Sequence, residues 1–384
     1  MSAPLVKGWC PGALRPMLSG DGLLLRVRPR GGHLSQREAL ALADLSRDLG
    51  NGLIDLSARG NLQIRGLDEK GHRKALARLA ELNLLDPDAT GEARRNVLVT
   101  PFWQAGDGTS ALALALEEAL TRTGTLALPG KFGFAVDTGS TPILRAASAD
   151  IRIERAADGT LLLCADGGET GKPITPDTAV AQAIALAHWW QQAADMNAPR
   201  RMRGLLAAGI ALPDGFTVSI ARDAALVPTP GPTPAGVLLG VAFGQIQADS
   251  FAALADLADL RLTPWRMVLL EGVEAMPHLP SFITDPADPM LRVAACPGGP
   301  ACTQGVAPVR DLARSLAPHL PEGLSLHVSG CAKGCAHPGP ADVTLTACAD
   351  GFAMARNATA AMADAQPALS PQALADPALL MTRI

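Results

Sequence analysis

The sequence predicts an internally duplicated α+β protein, and three observations support this fold class. The chain has 384 residues, which is enough for roughly two or three domains of ordinary size. Apolar residues make up 48% of it, so large cores can be buried. Residues 22–27 (GLLLRV) and residues 236–241 (GVLLGV) also resemble each other. Such self-similarity indicates a repeated structural unit.

The first copy has the pattern of a strand, a helix and a second strand. A short polar loop follows residues 22–27, and an Ala/Leu-rich stretch then predicts a helix over residues 35–49. Ser35 is a suitable N-cap for this helix because its hydroxyl can accept a hydrogen bond from a free N–H group. A second strand is expected over residues 62–66. A β-α-β unit of about 45 residues is typical of a ferredoxin-like half-domain.

The second copy repeats this pattern. Its helix is expected over residues 248–260, with Asp249 or Ser250 near its start, and its strand over residues 268–272. We therefore expect two ferredoxin-like half-domains in one chain.

The similarity between the copies continues into two α/β segments. Residues 95–101 (RNVLVTP) align with residues 291–297 (LRVAACP), so Thr100 stands where the second copy has Cys296. The helices expected after these segments cover residues 110–123 and 308–317. The fold class is thus two half-domains plus two α/β domains for cofactor binding.

Beyond those helices, the alignment of the copies becomes loose. Residues 131–136 (KFGFAV) align loosely with the loop at 331–335 and the strand at 341–345. One copy retains cysteines where the other retains basic residues. We expect a pseudo-twofold protein that holds a cofactor or substrate between two unlike halves.

A linking region separates the copies. Residues 179–196 have the pattern of one helix, and the Pro/Gly/Thr stretch at 228–234 cannot be helical and marks a boundary. The predicted division is 1–85 (first half-domain), 86–178 (first α/β domain), 179–233 (helix and linker), 234–285 (second half-domain) and 286–384 (cysteine-containing domain).

Four cysteines near the C-terminus form the most specific motif. Cys296 and Cys302 are spaced C-x5-C, and Cys331 and Cys335 are spaced C-x3-C. Four thiolates are the number that one [4Fe–4S] cluster requires. Structural zinc sites usually have closer pairs, which leaves zinc as an alternative that the first spacing disfavours.

Composition excludes several classes of function. The net charge of −4 gives no support to non-specific nucleic-acid binding. No stretch approaches the roughly 20 apolar residues of a membrane helix, and residues 1–10 lack a signal-peptide pattern. We therefore expect a cytoplasmic protein whose thiols stay reduced. The remaining cysteines, Cys10, Cys164 and Cys348, receive no role.

Basic residues gather in the first copy. Arg26 and Arg28 lie at the first strand, while Arg59, Arg95 and Lys131 each lie beside a turn at the end of an element. Because guanidinium groups bind carboxylates in a bidentate manner, this set predicts a polyanionic ligand. The basic run at 199–203 fits a basic clamp within the linker and a plain surface patch equally well.

These motifs together resemble the sulfite and nitrite reductase family. Residues 57–63 (SARGNLQ), 95–97 (RNV) and 128–132 (LPGKF) resemble its active-site segments, and the four cysteines resemble its cluster motif. The resemblance implies a [4Fe–4S] cluster on the four cysteines, with Cys335 bridging to sirohaem iron where sirohaem is present. It implies catalytic roles for Arg59, Arg95 and Lys131. The cofactor-binding residues implied by it are Arg26, Arg28, Gln63 and Asn96.

One position departs from the family pattern. The reductases have a second lysine two residues after the first, and this chain has Gly133 there. Loss of a lysine argues against the multi-proton reduction of sulfite or nitrite, which remains the alternative function. Residues 7–17 and 52–65 instead resemble a branch of the family that oxygenates precorrin-3A, a polycarboxylate tetrapyrrole, in aerobic cobalamin synthesis.

That branch implies partners and a further metal. The implied partners are precorrin-3A, O2 and an external electron donor, since no nicotinamide-binding glycine motif follows a strand. A mononuclear non-haem iron is implied beside the cluster, with sirohaem as the alternative. Such iron usually has two histidines and a carboxylate as ligands. No histidine pair has that spacing, and His337, two residues after Cys335, is the best single candidate.

Overall fold

The computed structural model describes residues 10–197, 201–220 and 227–370, together with Asp376 and Ala378. Three predicted features lie partly outside these residues: the opening motif at 7–17, the basic run at 199–203 and the end of the cysteine-containing domain. The described chain forms four β-sheets with helices packed on them. Two of these sheets belong to the half-domains and two to the α/β domains.

Eleven strands and six helices form the described part of the first half of the chain. The strands are β1 (Met17–Ser19), β2 (Gly22–Val27), β3 (His33–Leu34), β4 (Leu53–Leu56), β5 (Leu62–Leu67), β6 (Val97–Val99), β7 (Phe134–Asp137), β8 (Ile151–Arg155), β9 (Leu161–Ala165), β10 (Thr170–Pro173) and β11 (Val218–Ser219). The helices are α1 (Gln36–Leu49), α2 (Glu69–Glu81), α3 (Ala89–Arg94), α4 (Thr109–Arg122), α5 (Pro176–Asn197) and α6 (Met202–Ala207).

The second half repeats most of this order, but no helix there corresponds to α2 within the described residues. Its strands are β12 (Gly231–Thr233), β13 (Gly236–Gly240), β14 (Gln245–Gln247), β15 (Leu260–Leu262), β16 (Met267–Glu271), β17 (Val293–Ala295), β18 (Leu326–Ser329), β19 (Ala341–Cys348) and β20 (Gly351–Ala358). Its helices are α7 (Ala248–Ala255), α8 (Arg310–Leu316) and α9 (Ala360–Asp364).

The two half-domains exchange one strand each. The first sheet has the order β1-β2-β5-β4-β14, and the second has the order β12-β13-β16-β15-β3. Strand β14 of the second half therefore pairs with β4 of the first half, with Ile246 opposite Ile54. Strand β3 pairs in the same way with β15. Helices α1 and α7 pack on each other, and one hydrophobic core contains residues of both halves.

Local sequence explains where α1 begins, as predicted. The Ser35 side chain accepts a hydrogen bond from the backbone N–H of Glu38, and the Glu38 side chain accepts one from the Ser35 backbone N–H. This reciprocal capping box satisfies two free donors at the helix N-terminus. The prediction for α7 was too long, because Leu260 is buried in β15 rather than continuing the helix.

The two α/β sheets have the same central arrangement of four strands, with two parallel pairings followed by one antiparallel pairing. Strands β6, β7 and β8 are parallel and β9 is antiparallel, and strands β17, β18, β19 and β20 repeat this pattern. Thr100 directly follows β6 and Cys296 directly follows β17, so the predicted equivalence of these two residues is confirmed. The loop that matches Cys331–Cys335 begins at Thr138, after β7. The loose alignment with residues 131–136 was therefore wrong.

Helix α5 packs on the first α/β sheet, against α4, and its residues Ala183, Leu186 and Trp190 are buried in that domain's core. Strand β11 pairs at the edge of the same sheet. Much of the segment 179–233 thus extends the first α/β domain instead of only linking the halves. Within the described residues, no helix is both long and apolar enough to cross a membrane.

Candidate functional site

The four predicted cluster cysteines lie in two loops at one end of the second α/β sheet. Cys296 follows β17 and Cys331 follows β18, at the carboxyl ends of two neighbouring parallel strands. Ligands commonly bind at such strand ends. All four thiols are free, and the backbone N–H of Gly330 donates a hydrogen bond to Cys296 Sγ at 3.2 Å. The loops therefore bring the C-x5-C and C-x3-C pairs together, as predicted.

Glycines allow these loops to approach each other closely. A Cβ on Gly305 would lie 2.4 Å from the backbone nitrogen of Gly299, a separation that real side chains do not adopt. Gly334, between Cys331 and Cys335, has a φ of +62°, which residues with a side chain rarely adopt. The sequence around the cysteines thus fixes a tight backbone cradle.

The four thiols lie near one another. Burial raises the pKa of the Cys331 and Cys335 thiols, and each also lies within the field of Cys296 and Cys302. In the described part of the chain, no three His, Cys, Asp or Glu side chains form a group that could hold a single metal ion. Four neighbouring thiols with a backbone N–H directed at Cys296 Sγ match the number and chemistry of the ligands of a [4Fe–4S] cluster.

The first half-domain closes over the cysteine loop. The backbone carbonyl of Ala301 accepts hydrogen bonds from the Gly20 N–H at 3.1 Å, from Ser19 Oγ at 2.7 Å and from Arg65 Nη2 at 3.0 Å. Arg65 itself is buried and paired with Asp21 and Asp55. The cysteine loop is therefore held by both halves of the molecule.

Arg310 is a residue of this site that the sequence analysis did not single out. It is the first residue of α8, its side chain is 13% exposed, and its Nη2 lies 3.8 Å from Asp55 Oδ1. Its Nε is buried without a hydrogen-bond partner, and burial lowers its pKa, while its charge acts on Cys296. A cation beside the cysteines stabilises negative charge on thiolates. Only its place at the start of a predicted helix could have indicated it.

A row of polar side chains connects this region with the arginines. Arg26 on β2 stands opposite Gln63 on β5, Gln63 stands opposite Asp55 on β4, and Asp55 stands opposite Gln245 on β14. Directly opposed residues point to the same face of a sheet. Gln245 Nε2 also donates a hydrogen bond to Asp55 Oδ1 at 2.9 Å. One sheet face thus leads from Arg26 to Asp55, which lies beside Arg310.

Among the described residues, no carboxylate forms an ion pair with the arginines at the other end of the row, although the charges of Glu92 and Asp86 act on Arg28 and that of Asp150 acts on Arg59. Arg26 and Arg28 are buried, and the Nε of each has no hydrogen-bond partner, as is also true of Arg59 Nη1. Arg28 donates instead to the backbone carbonyls of Glu92 and Pro11. Burial, followed by the charge of Arg28, lowers the pKa of Arg26 to about 10. Cys10 lies among these groups and hydrogen-bonds to Arg26.

Desolvated guanidinium groups that are not held in ion pairs are energetically costly, so this cluster favours binding of an anion. Arg26, Arg28 and Arg59 are brought together as predicted. Cys10 completes the cluster, and its proximity to Arg26 arises from the fold rather than from sequence spacing.

Arg95 does not join this cluster. Its Nε and Nη2 donate to Asp86 at 2.9 and 2.8 Å, its Nη1 lies 3.4 Å from Glu117, and its side chain is 1% exposed. A fully buried arginine held by two carboxylates has a structural role. The predicted contact of Arg95 with substrate is therefore not available in this arrangement.

The other predicted site residues occupy different places. Asn96 is buried and donates a hydrogen bond to the Phe132 carbonyl at 3.0 Å, so it supports the loop that contains Gly133. Lys131 is exposed. His337 bonds through Nε2 to the Pro340 carbonyl at 3.1 Å.

The ligand set expected for a mononuclear iron is not assembled by the described residues. His327 contacts His337 with ring centroids 5.8 Å apart, but no carboxylate joins them. These histidines therefore do not fit a two-histidine, one-carboxylate iron site.

Comparison with known proteins agrees with this architecture. Residues 15–82 match the nitrite/sulfite reductase ferredoxin-like half domain. The chain is 29% identical to a protein of Sinorhizobium sp. named precorrin-3B synthase, across 93% of this chain and 84% of that protein. It is 26% identical to a ferredoxin–nitrite reductase of Synechococcus elongatus, across 86% of this chain and 77% of that protein.

A solved structure has the same fold. The NirA protein of Mycobacterium tuberculosis superposes with a TM-score of 0.62 at 19% identity, across 86% of this chain and 73% of NirA. The chain thus resembles precorrin-3B synthase in sequence and has the duplicated fold of the nitrite and sulfite reductases, as its motifs predict.

Proposed function

We propose that this chain, a relative of precorrin-3B synthase, is an enzyme that oxygenates precorrin-3A with O2 in aerobic cobalamin synthesis. One oxygen atom of O2 becomes a hydroxyl group at C20 of the macrocycle, and the other leaves as water with two electrons from the donor and two protons, while an acetate side chain closes a γ-lactone. The partners are precorrin-3A, O2 and an external electron donor.

The observation that carries the proposal is the arginine cluster. Arg26, Arg28 and Arg59 keep buried nitrogens without hydrogen-bond partners, and no carboxylate of the described residues is paired with Arg26. A ligand with many carboxylates satisfies such groups, because each guanidinium can bind a carboxylate in a bidentate manner. A tetrapyrrole with acetate and propionate side chains has this chemistry.

Residues at different positions along the sheet face have different roles. Arg26, Arg28 and Arg59 bind and orient carboxylates of the substrate, and Gln63 and Asp55 line the face that leads to the cysteines. Cys296, Cys302, Cys331 and Cys335 hold a [4Fe–4S] cluster, which supplies electrons when bound. Arg310, beside Asp55 and Cys296, balances negative charge there. No step is assigned to a mononuclear iron, since its ligands are not assembled.

The position of Gly133 supports the oxygenase over a sirohaem reductase. A Cβ at this position would lie 3.2 Å from Arg59 Nη1 and 2.7 Å from Asn96 Nδ2. Arg59 therefore occupies the space into which a longer side chain at residue 133 would project. The similarity to a ferredoxin–nitrite reductase keeps the reductase as the competing function to be tested.

The test begins with protein purified without oxygen. We expect an EPR spectrum of a reduced [4Fe–4S] cluster and no extractable sirohaem. Addition of precorrin-3A, a chemical electron donor and 18O2 should then give a product that contains one labelled oxygen, measured by mass spectrometry.

Two controls separate the alternatives. The Cys331→Ser variant should lose the cluster signal and the product together, while parallel assays with nitrite and sulfite should show no consumption. Bound sirohaem with nitrite or sulfite reduction would contradict the oxygenase and identify a reductase.

A further inference from the structure

Arg59 of the arginine cluster and Arg201 converge on one serine. Arg59 Nη2 donates a hydrogen bond to Ser148 Oγ at 3.1 Å, and Arg201 Nη2 donates to the same oxygen at 3.2 Å. Ser148 is exposed, and the side chain of Arg201 is 33% exposed. Arg201 belongs to the basic run at 199–203, for which the sequence left a clamp and a surface patch open, whereas Ser148 was not among the predicted site residues. Their donor groups therefore meet at a surface that a ligand can reach.

The hydroxyl of Ser148 is left as a donor. A serine oxygen has two acceptor positions and one O–H group. Arg59 and Arg201 occupy both acceptor positions, so the hydroxyl hydrogen points away from them. None of the described residues accepts a hydrogen bond from this hydroxyl. Two guanidinium groups and one hydroxyl thus present their hydrogens together.

A buried carboxylate fixes this arrangement. Asp150 is fully buried, and its oxygens accept hydrogen bonds from Arg201 Nε at 2.8 and 3.0 Å and from the Met202 N–H at 2.9 Å. It also accepts one from the Gly133 N–H at 3.0 Å, and the Gly133 carbonyl accepts one from the Asp150 N–H at 2.7 Å. Asp150 holds Arg201 by its Nε edge, which leaves the Nη edge for Ser148 and a ligand.

The local charge balance favours an anion. The charged groups that act on Arg59 are Arg201, Cys10, Asp150 and Arg28. Asp150 already pairs with Arg201, so the two adjacent guanidinium groups share one carboxylate. Burial and then the charge of Arg201 lower the pKa of Arg59, which means that the two cations repel each other. A bound anion removes this repulsion.

We propose that Arg59, Ser148 and Arg201 form a clamp for one carboxylate group of the ligand. The fork of each guanidinium matches the planar carboxylate, and the Ser148 hydroxyl supplies a third donor. The identity of the ligand as a tetrapyrrole rests on the proposed function, but the clamp itself requires only a carboxylate.

The clamp can be tested by binding alone, without O2 or an electron donor. The probe is uroporphyrin III, a stable tetrapyrrole with acetate and propionate groups, titrated into cluster-loaded protein and followed by its fluorescence. Ser148→Ala is the sharpest variant, because it removes one exposed hydroxyl and leaves the buried Asp150–Arg201 pair intact. We expect about tenfold weaker binding, the cost of a lost hydrogen bond to a charged group.

Arginine variants and a control complete the test. Arg59→Ala and Arg201→Gln should each weaken binding of the porphyrin. The double variant should lose less binding free energy than the sum of the two single variants, because both arginines act on one carboxylate. Arg78→Ala is the matched control, since Arg78 is an exposed arginine paired with Glu81 on α2. It should bind as the unmodified protein does. Melting temperatures of all variants exclude loss of the fold as the cause.

Two results overturn the clamp. One is unchanged porphyrin affinity in Ser148→Ala, and the other is full displacement of the porphyrin by nitrite or sulfite, which would indicate a site for an inorganic oxyanion. Failure of the proposed function looks different: the unmodified protein would bind the porphyrin through the clamp but would not oxygenate precorrin-3A.

Discussion

Gly133 illustrates how the absence of a side chain positions a neighbouring group. Its backbone is hydrogen-bonded to Asp150 on both sides, so it cannot move away from Arg59 or Asn96. We expect Gly133→Ala to push its methyl group against both side chains and to displace Arg59 from Ser148. The free energy of unfolding should fall by about 1–3 kcal/mol, as is usual for an overpacked site. Urea denaturation measures this change, and uroporphyrin titration should show weaker binding.

Another glycine of the same domain serves as the control for this variant. A Cβ on Gly124 would meet no atom within 4 Å. Gly124→Ala should therefore leave both stability and binding nearly unchanged. If Gly133→Ala behaved like Gly124→Ala, the space beside Arg59 would have no role in positioning it.

Individual residues were predicted with mixed success. Arg26 and Arg59 meet because the first lies on β2 and the second in the turn between β4 and β5, which are elements of one sheet. Arg95 lies in a motif of similar appearance, yet Asp86 and Glu117 enclose it. A sequence shows that an arginine is near a turn, but it does not show which carboxylates the fold brings to it. Ser148 was missed for the same reason.

At the scale of paired strands, two buried carboxylates lie on neighbouring strands and make stability depend on pH. Asp137 on β7 stands opposite Glu154 on β8, and Asp137 Oδ1 and Glu154 Oε1 both lack hydrogen-bond partners. Asp137 Oδ2 accepts from the N–H groups of Ile143 and Leu144. Burial raises the pKa of Asp137 to about 6. The protonated form is therefore favoured in the folded protein up to about pH 6.

The sign of the pH dependence follows from this shift. Because the folded pKa exceeds the unfolded value, the stabilising contribution of Asp137 is complete below the unfolded pKa and is lost as pH rises through about 6. Asp137→Asn keeps an oxygen for the two N–H groups and gives Glu154 a donor. We expect it to raise the free energy of unfolding above pH 6 by about 1–3 kcal/mol.

Urea denaturation between pH 4 and pH 8, roughly spanning the ordinary carboxyl pKa and neutrality, measures the effect. Asp158→Asn provides the control, because Asp158 is fully exposed and its pKa is lowered by the hydrogen bond from the Thr160 N–H. Asp158→Asn should not raise the free energy of unfolding above pH 6. An Asp137→Asn protein that was less stable than the unmodified protein at pH 8 would disprove the assignment.

Elements were predicted well where local sequence determines them. The capping box at Ser35 and Glu38 and the apolar strand over residues 22–27 depend on neighbouring residues, and both were found. Strands β3 and β14 were not predicted, because two or three residues cannot establish a period-two pattern. Each of these strands pairs with a strand of the other copy, and the pattern of apolar residues within one copy does not reveal such a contact.

At the scale of the whole molecule, the duplication creates one site from unlike halves. The first half supplies Arg26 and Arg59, and the second half supplies the four cysteines and Arg310. The exchanged strand β14 places Gln245 beside Asp55, where the two contributions meet. The exchange of strands and the common core thus keep the anion-binding residues and the cysteines in a fixed relation.

This arrangement predicts that a destabilising substitution in one half-domain also destabilises the other. Ile246 lies on β14 of the second half, is buried in the common core and stands opposite Ile54 of the first half. We expect Ile246→Ala to lower the free energy of unfolding by about 2–5 kcal/mol. Hydrogen exchange should also become faster at β4 and β5, although these strands are far from residue 246 in sequence.

Leu257→Ala, a change at an exposed leucine, should leave exchange in these strands unaltered. Faster exchange confined to residues 236–271 would show that the half-domains are independent units, and the coupling argued from the exchanged strands would then be incorrect.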